Sequence, residues 1–282
     1  MKQILFVFAL LLSLQLSAQD NQFNPYYQIE ADKNYFLLAD AVNLRSKPDA
    51  KSEVLAKLQI GIELKILQVT ETDFELNGFS APWLKVSANG KTGYIWAGFL
   101  SISNLKSASN PDLIFLVGIS KVVKKKMADY ESDAVTMQIR VCQNNKEIQK
   151  LEYDGKGSLS TARSADLLVN KGVSGVESIL DIEYSDNFCG GSFGNHIFFW
   201  DGKKLYFVKH LQSGADAPCF SSEDFIYPAD ESGKANTILM KVESGCSDME
   251  SESDEIVYDT HRMEEYVWKN NKLVFVKKYD LK

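Results

Sequence analysis

Cys189 and His196 are the pair of residues in this sequence most suited to nucleophilic chemistry. They stand seven positions apart in the stretch Cys-Gly-Gly-Ser-Phe-Gly-Asn-His, and a histidine within reach of a thiol can activate it as a nucleophile. The glycines on both sides of Ser192 disfavour the helix that would hold such a group, and neither His210 nor His261 has a recognisable catalytic setting. We therefore predict no catalytic residue and keep the cysteine–histidine pair as an alternative.

An acidic stretch at residues 247–255 is the second place where chemistry is conceivable. Its carboxylate oxygens could bind a hard cation such as Ca²⁺, but the stretch lacks the Asp-x-Asp-x-Asp-Gly spacing that orders a calcium-binding loop. We expect a solvated loop, and we predict neither a metal site nor a cofactor.

Four residues in the first third of the chain make the best candidate binding site. Trp83, Tyr94 and Trp96 cannot all be buried in a small core, and alternation along residues 92–96 places Tyr94 and Trp96 on one face of a strand. Outward aromatic rings suit peptide or sugar ligands, and Arg45 could donate to a ligand carboxylate. The competing interpretation is that Tyr94 and Trp96 pack against the preceding segment or a second domain.

The chain as a whole is acidic and ordinary in composition. Its 282 residues carry a formal charge of −7, with 45% hydrophobic and 24% charged residues, which is typical of a globular protein long enough for two domains. An acidic chain gains no general attraction to nucleic acid or anionic lipid. We predict no nucleic-acid partner, because the three consecutive lysines at 124–126 are typical of a solvated strand end.

Residues 1–19 have the pattern of a secretory signal peptide. Lys2 precedes an apolar run from Ile4 to Leu16, and the small residues Ser17 and Ala18 follow it,. The run is too short for a membrane span, and no later segment is long and apolar enough to be one. We expect an exported protein, periplasmic or extracellular, without a membrane span.

The elements that must position the candidate binding residues lie between residues 35 and 103, after a lead-in segment at 20–34. Alternation with a period of two begins at Val42, and turn signals recur at Pro48, Gly61 and the pair Asn89-Gly90,. Residues 70–82 predict a long hairpin loop. Five or six short strands in a segment of this length can bury their faces only as a small barrel.

This segment resembles the bacterial SH3-like domain family. The resemblance rests on Asn-Leu-Arg-Ser-x-Pro at residues 43–48, Trp83 with Val86, and Gly-x-x-Gly-Tyr-Ile at residues 90–95. It implies a small β-barrel that serves as a targeting or ligand-binding module, frequently for cell-wall peptides or peptidoglycan. Such domains also accompany cell-wall cysteine peptidases, but Phe188 stands where those peptidases have an aspartate before the cysteine.

A polar linker is predicted at residues 104–112, and residues 113–282 then show a repeated hairpin. Residues 200–209 and 268–277 both read Trp, three turn residues, Lys, Leu, one further residue, Phe, Val, Lys, and a weaker copy spans 139–148. Asp-Gly and Asn-Asn suit the tight turns of such hairpins. We predict an all-β protein, in which the SH3-like barrel is followed by a larger antiparallel β-meander, propeller-like or sandwich, with one short helix at 162–169.

The four cysteines all lie in this second part of the chain. In an exported protein an even number suggests disulfide bonds. The meander would place Cys189, Cys219 and Cys246 on long loops at one rim and Cys142 in a strand. We predict one bridge within the rim trio, with Cys189–Cys219 as the first choice.

Three hypotheses for function follow. The first is an exported, non-enzymatic binding or scaffold protein of the bacterial envelope, whose barrel recognises a cell-wall peptide, peptidoglycan or a protein partner. The second is a cell-wall hydrolase that uses Cys189 with a histidine. The third is a purely structural assembly component.

Overall fold

The computed structural model describes residues 24–126, 131–186, 192–247 and 256–282, and its regular structure is almost entirely antiparallel sheet. Within these four ranges the helical segments are two 3₁₀ turns, at Pro25–Gln28 and Ala97–Phe99. The all-β prediction is confirmed. The predicted signal peptide lies outside the described residues.

The first six strands form one sheet in the order β1-β4-β5-β6-β2-β3. Their bounds are β1 (Asn34–Phe36), β2 (Val42–Arg45), β3 (Val54–Leu58), β4 (Glu63–Leu76), β5 (Phe79–Ala88) and β6 (Lys91–Trp96). The inner face buries the aliphatic side chains of Leu44, Leu58, Leu64, Ile66, Leu84, Val86 and Ile95. Short strands that curl around an apolar centre confirm the small SH3-like fold expected from the sequence.

The β4–β5 hairpin extends further than the sequence suggested. Strand pairing continues to Leu76 opposite Phe79, and the turn consists of Asn77 and Gly78, both with positive φ, as a two-residue hairpin turn requires. The prediction of a long loop at residues 70–82 is wrong. Pro82 is accommodated because it lies beside an irregularity in the β4–β5 register,.

The remaining strands form two further antiparallel sheets. The four-stranded sheet, in the order β10-β9-β8-β7, contains β7 (Ser103–Lys106), β8 (Leu113–Lys126), β9 (Glu131–Gln143) and β10 (Lys146–Asp154). The eight-stranded sheet contains β11 (Ala162–Val169), β12 (Ser178–Ser185), β13 (Ser192–Trp200), β14 (Leu205–Asp216), β15 (Cys219–Ile226), β16 (Ile238–Ser247), β17 (Ile256–Lys269) and β18 (Lys272–Asp280). Strand β7 overlaps the segment that was predicted as a linker, residues 104–112.

The eight-stranded sheet is a meander, because its strands pair in chain order from β11 to β18. The predicted hairpins are present: β13 and β14 flank the turn after Trp200, and β17 and β18 flank Asn270 and Asn271, both with positive φ. A core cluster that includes Ile179, Phe199, Leu211 and Ile238 lies on one face of this sheet.

The short helix predicted at residues 162–169 is instead strand β11. All eight residues of β11 pair with β12, from Ala162 opposite Ser185 to Val169 opposite Ser178. The stretch contains helix-compatible residues such as Ala165 and Leu167, but single-residue propensities are weak. Pairing with a neighbouring strand outweighs them here.

The described residues divide into two compact units. Residues up to Ile102, together with Val117–Gln138 and Glu152–Thr161, form unit 1. Unit 2 consists of Ser103–Leu116, Ile139–Leu151 and Ala162–Lys282. Strands β8, β9 and β10 therefore each contribute residues to both units.

One disulfide bond joins Cys219 to Cys246, with their Cα atoms 3.9 Å apart. The two residues lie directly opposite each other on β15 and β16. The first-choice pairing of Cys189 with Cys219 is wrong, because β14 and β15 form a hairpin that brings Cys219 to the start of β15 rather than leaving it on a long loop. Cys189 lies outside the described residues, and Cys142 is buried in β9 as expected.

Candidate ligand-binding site

The outer face of the β5–β6 hairpin carries three of the four predicted binding residues. Cross-strand pairing sets Trp83 opposite Trp96 and Lys85 opposite Tyr94. Because side chains alternate along a strand, all four of these side chains project to the face opposite the aliphatic core. Alternation therefore places Tyr94 and Trp96 on one face, as predicted.

That face is nevertheless covered at its tryptophan end. Trp83 is 4% exposed and Trp96 is 1% exposed, so the expectation that Trp96 forms an open aromatic platform with Tyr94 is wrong. Trp96 packs against Phe79 and against Phe99, at ring-centroid distances of 5.0 and 5.2 Å. Its indole Nε1 donates to the carbonyl of Ala81 at 3.0 Å.

The covering layer comes in part from the segment that precedes the first strand. Tyr26 stacks on Phe79 at 5.5 Å, and Asn24 donates to the carbonyl of Ser80 at 3.0 Å. Phe74, on β4, packs against Trp83 and Trp96, at ring-centroid distances of 5.8 and 6.1 Å. The lead-in segment thus packs on Phe79, which in turn packs on Trp96. Direct packing of Tyr94 and Trp96 on that segment or on a second domain, the competing interpretation, stays a prediction.

Arg45 and Tyr94, the other two predicted binding residues, are neighbours. They pair directly across strands β2 and β6, and both side chains are partly exposed. Gly93 permits this approach, since a Cβ atom there would lie 2.7 Å from the carbonyl oxygen of Arg45 and 2.7 Å from Cγ of Leu44. The glycine in the motif Gly-Tyr-Ile is therefore needed for the strand spacing that sets Tyr94 beside Arg45.

Tyr94 is flanked by a cation on each side, because Lys85 on β5 lies opposite it in the other direction. The register continues outward to Val54 beyond Arg45 and to Gln68 beyond Lys85. We call these five residues, Val54, Arg45, Tyr94, Lys85 and Gln68, the Tyr94 row. The row crosses five strands and combines a phenol ring, two cations, an amide and an exposed apolar side chain.

The guanidinium of Arg45 is held in place by the β2–β3 turn. Its Nη1 donates to the carbonyl of Ser52 at 2.7 Å, and Ser52 in turn donates through Oγ to the carbonyls of Lys47 and Asp49 at 3.0 and 2.8 Å. An arginine has five N–H donors in a fixed plane. The turn thus orients the group and leaves donors available for an acceptor on a ligand.

Lys85, Val54 and Gln68 were missed by the sequence analysis, although one signal could have found Lys85. A two-residue turn at Asn89-Gly90 sets Ala88 opposite Lys91, and counting back along both strands reaches Lys85 opposite Tyr94. Val54 and Gln68 depend on register irregularities in β2–β3 and β4–β5, which no local pattern in the sequence reveals.

The histidine of the cysteine–histidine alternative is buried. His196 is 2% exposed and stacks on His210, its partner across β13 and β14, at a centroid distance of 4.8 Å. Tyr184 completes the cluster, and its hydroxyl lies 2.9 Å from Nε2 of His210. Cys189 lies outside the described residues, so its distance from these rings is undefined and the hydrolase alternative stays a prediction.

Within the part of the chain that the structure describes, no group of three or more histidine, cysteine, aspartate or glutamate side chains is arranged to hold a metal ion. Most of the acidic stretch considered for calcium, residues 248–255, lies outside that part. None of the helical segments that are described has the length and apolar character to cross a membrane.

Comparison with known proteins finds a family model that matches most of the N-terminal sheet. Residues 40–101 match the family model described as the bacterial SH3 domain. This range contains strands β2 to β6 and every member of the Tyr94 row. The resemblance noted from the sequence is thereby confirmed for this part of the chain. No curated protein and no solved structure matches the chain.

Proposed function

We propose that this protein is an exported, non-enzymatic binding protein of the bacterial envelope, and that its SH3-like barrel recognises a peptide or cell-wall ligand at the Tyr94 row. The observation that carries the proposal is the position of Tyr94 between Arg45 and Lys85, on the part of the outer face that the aromatic layer leaves open. Bacterial SH3 domains are commonly binding modules, and the match at residues 40–101 supports that role here.

The chemistry of the row fits a chain-like ligand. An aromatic ring offers an apolar surface with a polar edge, and the flanking side chains offer hydrogen-bond donors on both sides. Because the row runs across the strands, a ligand seated on it would contact several strands at once. The ligand's backbone amides and carbonyls would meet the amide of Gln68 and the donors of Arg45.

Export is part of the proposal, and two observations support it. The first 19 residues have the pattern of a signal peptide,, and Cys219 is bonded to Cys246. Disulfide bonds persist mainly in oxidising compartments such as the periplasm or the exterior. Cell-wall peptides are present in these compartments.

A co-sedimentation assay with purified peptidoglycan sacculi tests the proposal. Wild-type protein should sediment with the sacculi, and Tyr94→Ala should lose most of this binding while keeping the wild-type melting temperature. Tyr279→Ala, which removes a 42% exposed tyrosine from β18 of unit 2, is the matched control and should bind like the wild type. Equal sedimentation of all three proteins, or none by the wild type, would exclude the Tyr94 row as the site.

A further inference from the structure

Four of the five strands that the Tyr94 row crosses carry an excess of positive charge on an acidic protein. Residues 41–58 and 83–96, which hold β2, β3, β6 and the row-bearing part of β5, contain six cations and two acids. The fifth strand of the row, β4, carries four acids and one lysine, and the whole chain has a net charge of −7. The six cations are Arg45, Lys47, Lys51, Lys57, Lys85 and Lys91, of which Arg45 and Lys85 belong to the Tyr94 row. The two acids are Asp49 and Glu53.

Within the described residues, the six cations have no carboxylate within ion-pair distance. Some lysines elsewhere in unit 1 do form such pairs, as Lys65 does with Asp32 at 2.9 Å. Arg45 and Lys85, which lie on both sides of a partly exposed aromatic ring without a carboxylate partner in the part of the chain that the structure describes, indicate a ligand that brings the negative charge itself.

We infer that the ligand of the Tyr94 row is a peptide that carries carboxylates, with one carboxylate held by Arg45 and the chain lying over Tyr94 towards Lys85. This inference rests on the proposed function and names the chemical class of its ligand. Arg45 is the stronger contact, since a planar guanidinium can bind a carboxylate through two parallel hydrogen bonds. Lys85 supplies a second charge about 10 Å away, because adjacent strands lie about 4.8 Å apart.

A carboxylate-bearing peptide fits these features better than a long polyanion does. The contact set is local: one oriented guanidinium, one ring and one ammonium group. A nucleic acid or an anionic membrane would approach a molecule whose overall charge is negative and would be repelled at distances beyond the row. A peptide with a few carboxylates is attracted by Arg45 and Lys85. It carries too little negative charge to be repelled strongly by the rest of the acidic protein.

The test compares sacculi with free carboxylates against sacculi whose carboxylates have been converted to amides with carbodiimide and ammonia. We expect the wild type to bind amidated sacculi about tenfold or more weakly, the size of effect associated with losing a charged hydrogen-bond partner. Arg45→Ala should weaken binding to native sacculi by a similar factor, and Lys85→Ala by less. Lys121→Ala, which removes an exposed lysine on β8 outside the row, should leave binding unchanged.

Two further arms keep the outcomes distinct. Arg45→Lys retains the positive charge but lacks the planar guanidinium. We expect its affinity for native sacculi to lie between that of the wild type and that of Arg45→Ala. Single-stranded DNA and vesicles of anionic phospholipid serve as general polyanions, and binding to either at the affinity measured for native sacculi would overturn the inference.

Failure of the inference can be separated from failure of the proposed function. If the wild type binds native and amidated sacculi equally while Tyr94→Ala binds neither, the row is the site but its ligand is not chosen by carboxylates. If the wild type binds neither preparation, the proposed function itself fails. Melting temperatures of the variants show whether a loss of binding reflects unfolding.

Discussion

Tyr94 and Trp96 project from the same face of β6, two residues apart, but only Tyr94 is accessible to a ligand. Trp96 is 1% exposed and lies under Phe79, Phe74 and Phe99, whereas Tyr94 is partly exposed between two cations. The boundary between the covered and the open part of the outer face thus falls between these two side chains.

Substitution of the two residues should separate stability from binding. Trp96→Ala removes a fully buried indole and its hydrogen bond to Ala81, so it should reduce the free energy of unfolding by about 3–5 kcal/mol. Tyr94→Ala should reduce it by less than about 1 kcal/mol. Urea denaturation of both variants measures the difference. If both variants lost a similar free energy of unfolding, the conclusion that Trp96 is covered and Tyr94 is open would be contradicted.

Gly93→Ala should destabilise unit 1 by about 1–3 kcal/mol, the usual cost of forcing extra volume into a packed site. The added methyl group would meet the backbone carbonyl of Arg45 and the side chain of Leu44. Gly90→Ala is the comparison, because no atom lies within 4 Å of its Cβ position. Its positive φ alone should cost about 1 kcal/mol. Thermal denaturation distinguishes the two, and a smaller loss for Gly93→Ala than for Gly90→Ala would contradict the close approach of β2 and β6.

Reduction of the disulfide bond should lower the stability of unit 2. The bond closes a separation of 27 residues between Cys219 and Cys246, for which chain entropy gives about 3.5 kcal/mol. Denaturation with and without reductant should show this loss in the wild type, and also in Cys142→Ala, since Cys142 takes no part in the bond. The double variant Cys219→Ser with Cys246→Ser should be insensitive to reductant.

Glu264→Gln should destabilise unit 2 at neutral pH, with an effect that fades in acid. Burial opposes ionisation of Glu264, but hydrogen bonds from Tyr266 and Arg262 outweigh it, and the pKa of this carboxyl lies below its ordinary value. A group whose pKa is lowered by folding stabilises above its unfolded pKa, and this contribution is lost as the pH falls through the folded pKa.

Unfolding curves of wild type and Glu264→Gln at pH 7 and at pH 3 measure this prediction. The difference between the two proteins should be smaller at pH 3. Glu75→Gln, on an exposed position of β4, should show no comparable dependence on pH. A difference that grew in acid would contradict the assignment.

Asp181→Asn should stabilise unit 2 at neutral pH. Burial raises the pKa of Asp181, and repulsion from Asp166 and Glu183 raises it further. The hydrogen bond that Asn195 donates lowers this pKa, but by less than the other effects raise it. Asp166 lies directly opposite on β11, where like charges disfavour pairing. The ionised form therefore opposes folding, so the gain should be largest at pH 7 and shrink as acid protonates the wild-type carboxyl. A loss of stability at pH 7 would contradict this account.

Local patterns predicted most of the strands but not the layer over the outer face. Period-two alternation and the turn at Asn89-Gly90 are short-range signals, and they located β5, β6 and the shared face of Tyr94 and Trp96. The layer over Trp96 includes Phe79, and Phe79 stacks on Tyr26, about fifty positions earlier in the chain. No pattern within a strand reports such a contact.

The wrong choice of disulfide partners has the same cause, since a pairing between distant segments is not visible in a local pattern. The meander correctly placed Cys219 and Cys246 near one another, because strand order follows chain order. Which cysteine faces which depends on the exact register of β15 and β16, and a shift of one residue would point the side chains to opposite faces.

The division of β8, β9 and β10 between the two units has a consequence for synthesis on the ribosome. Unit 1 includes Glu152–Thr161 as well as the residues before Ile102, so its last segment emerges only after much of the chain has been translated. Contacts between segments this distant in sequence form slowly, since the intervening chain must be ordered first. Unit 1 is therefore complete only after translation has passed Thr161.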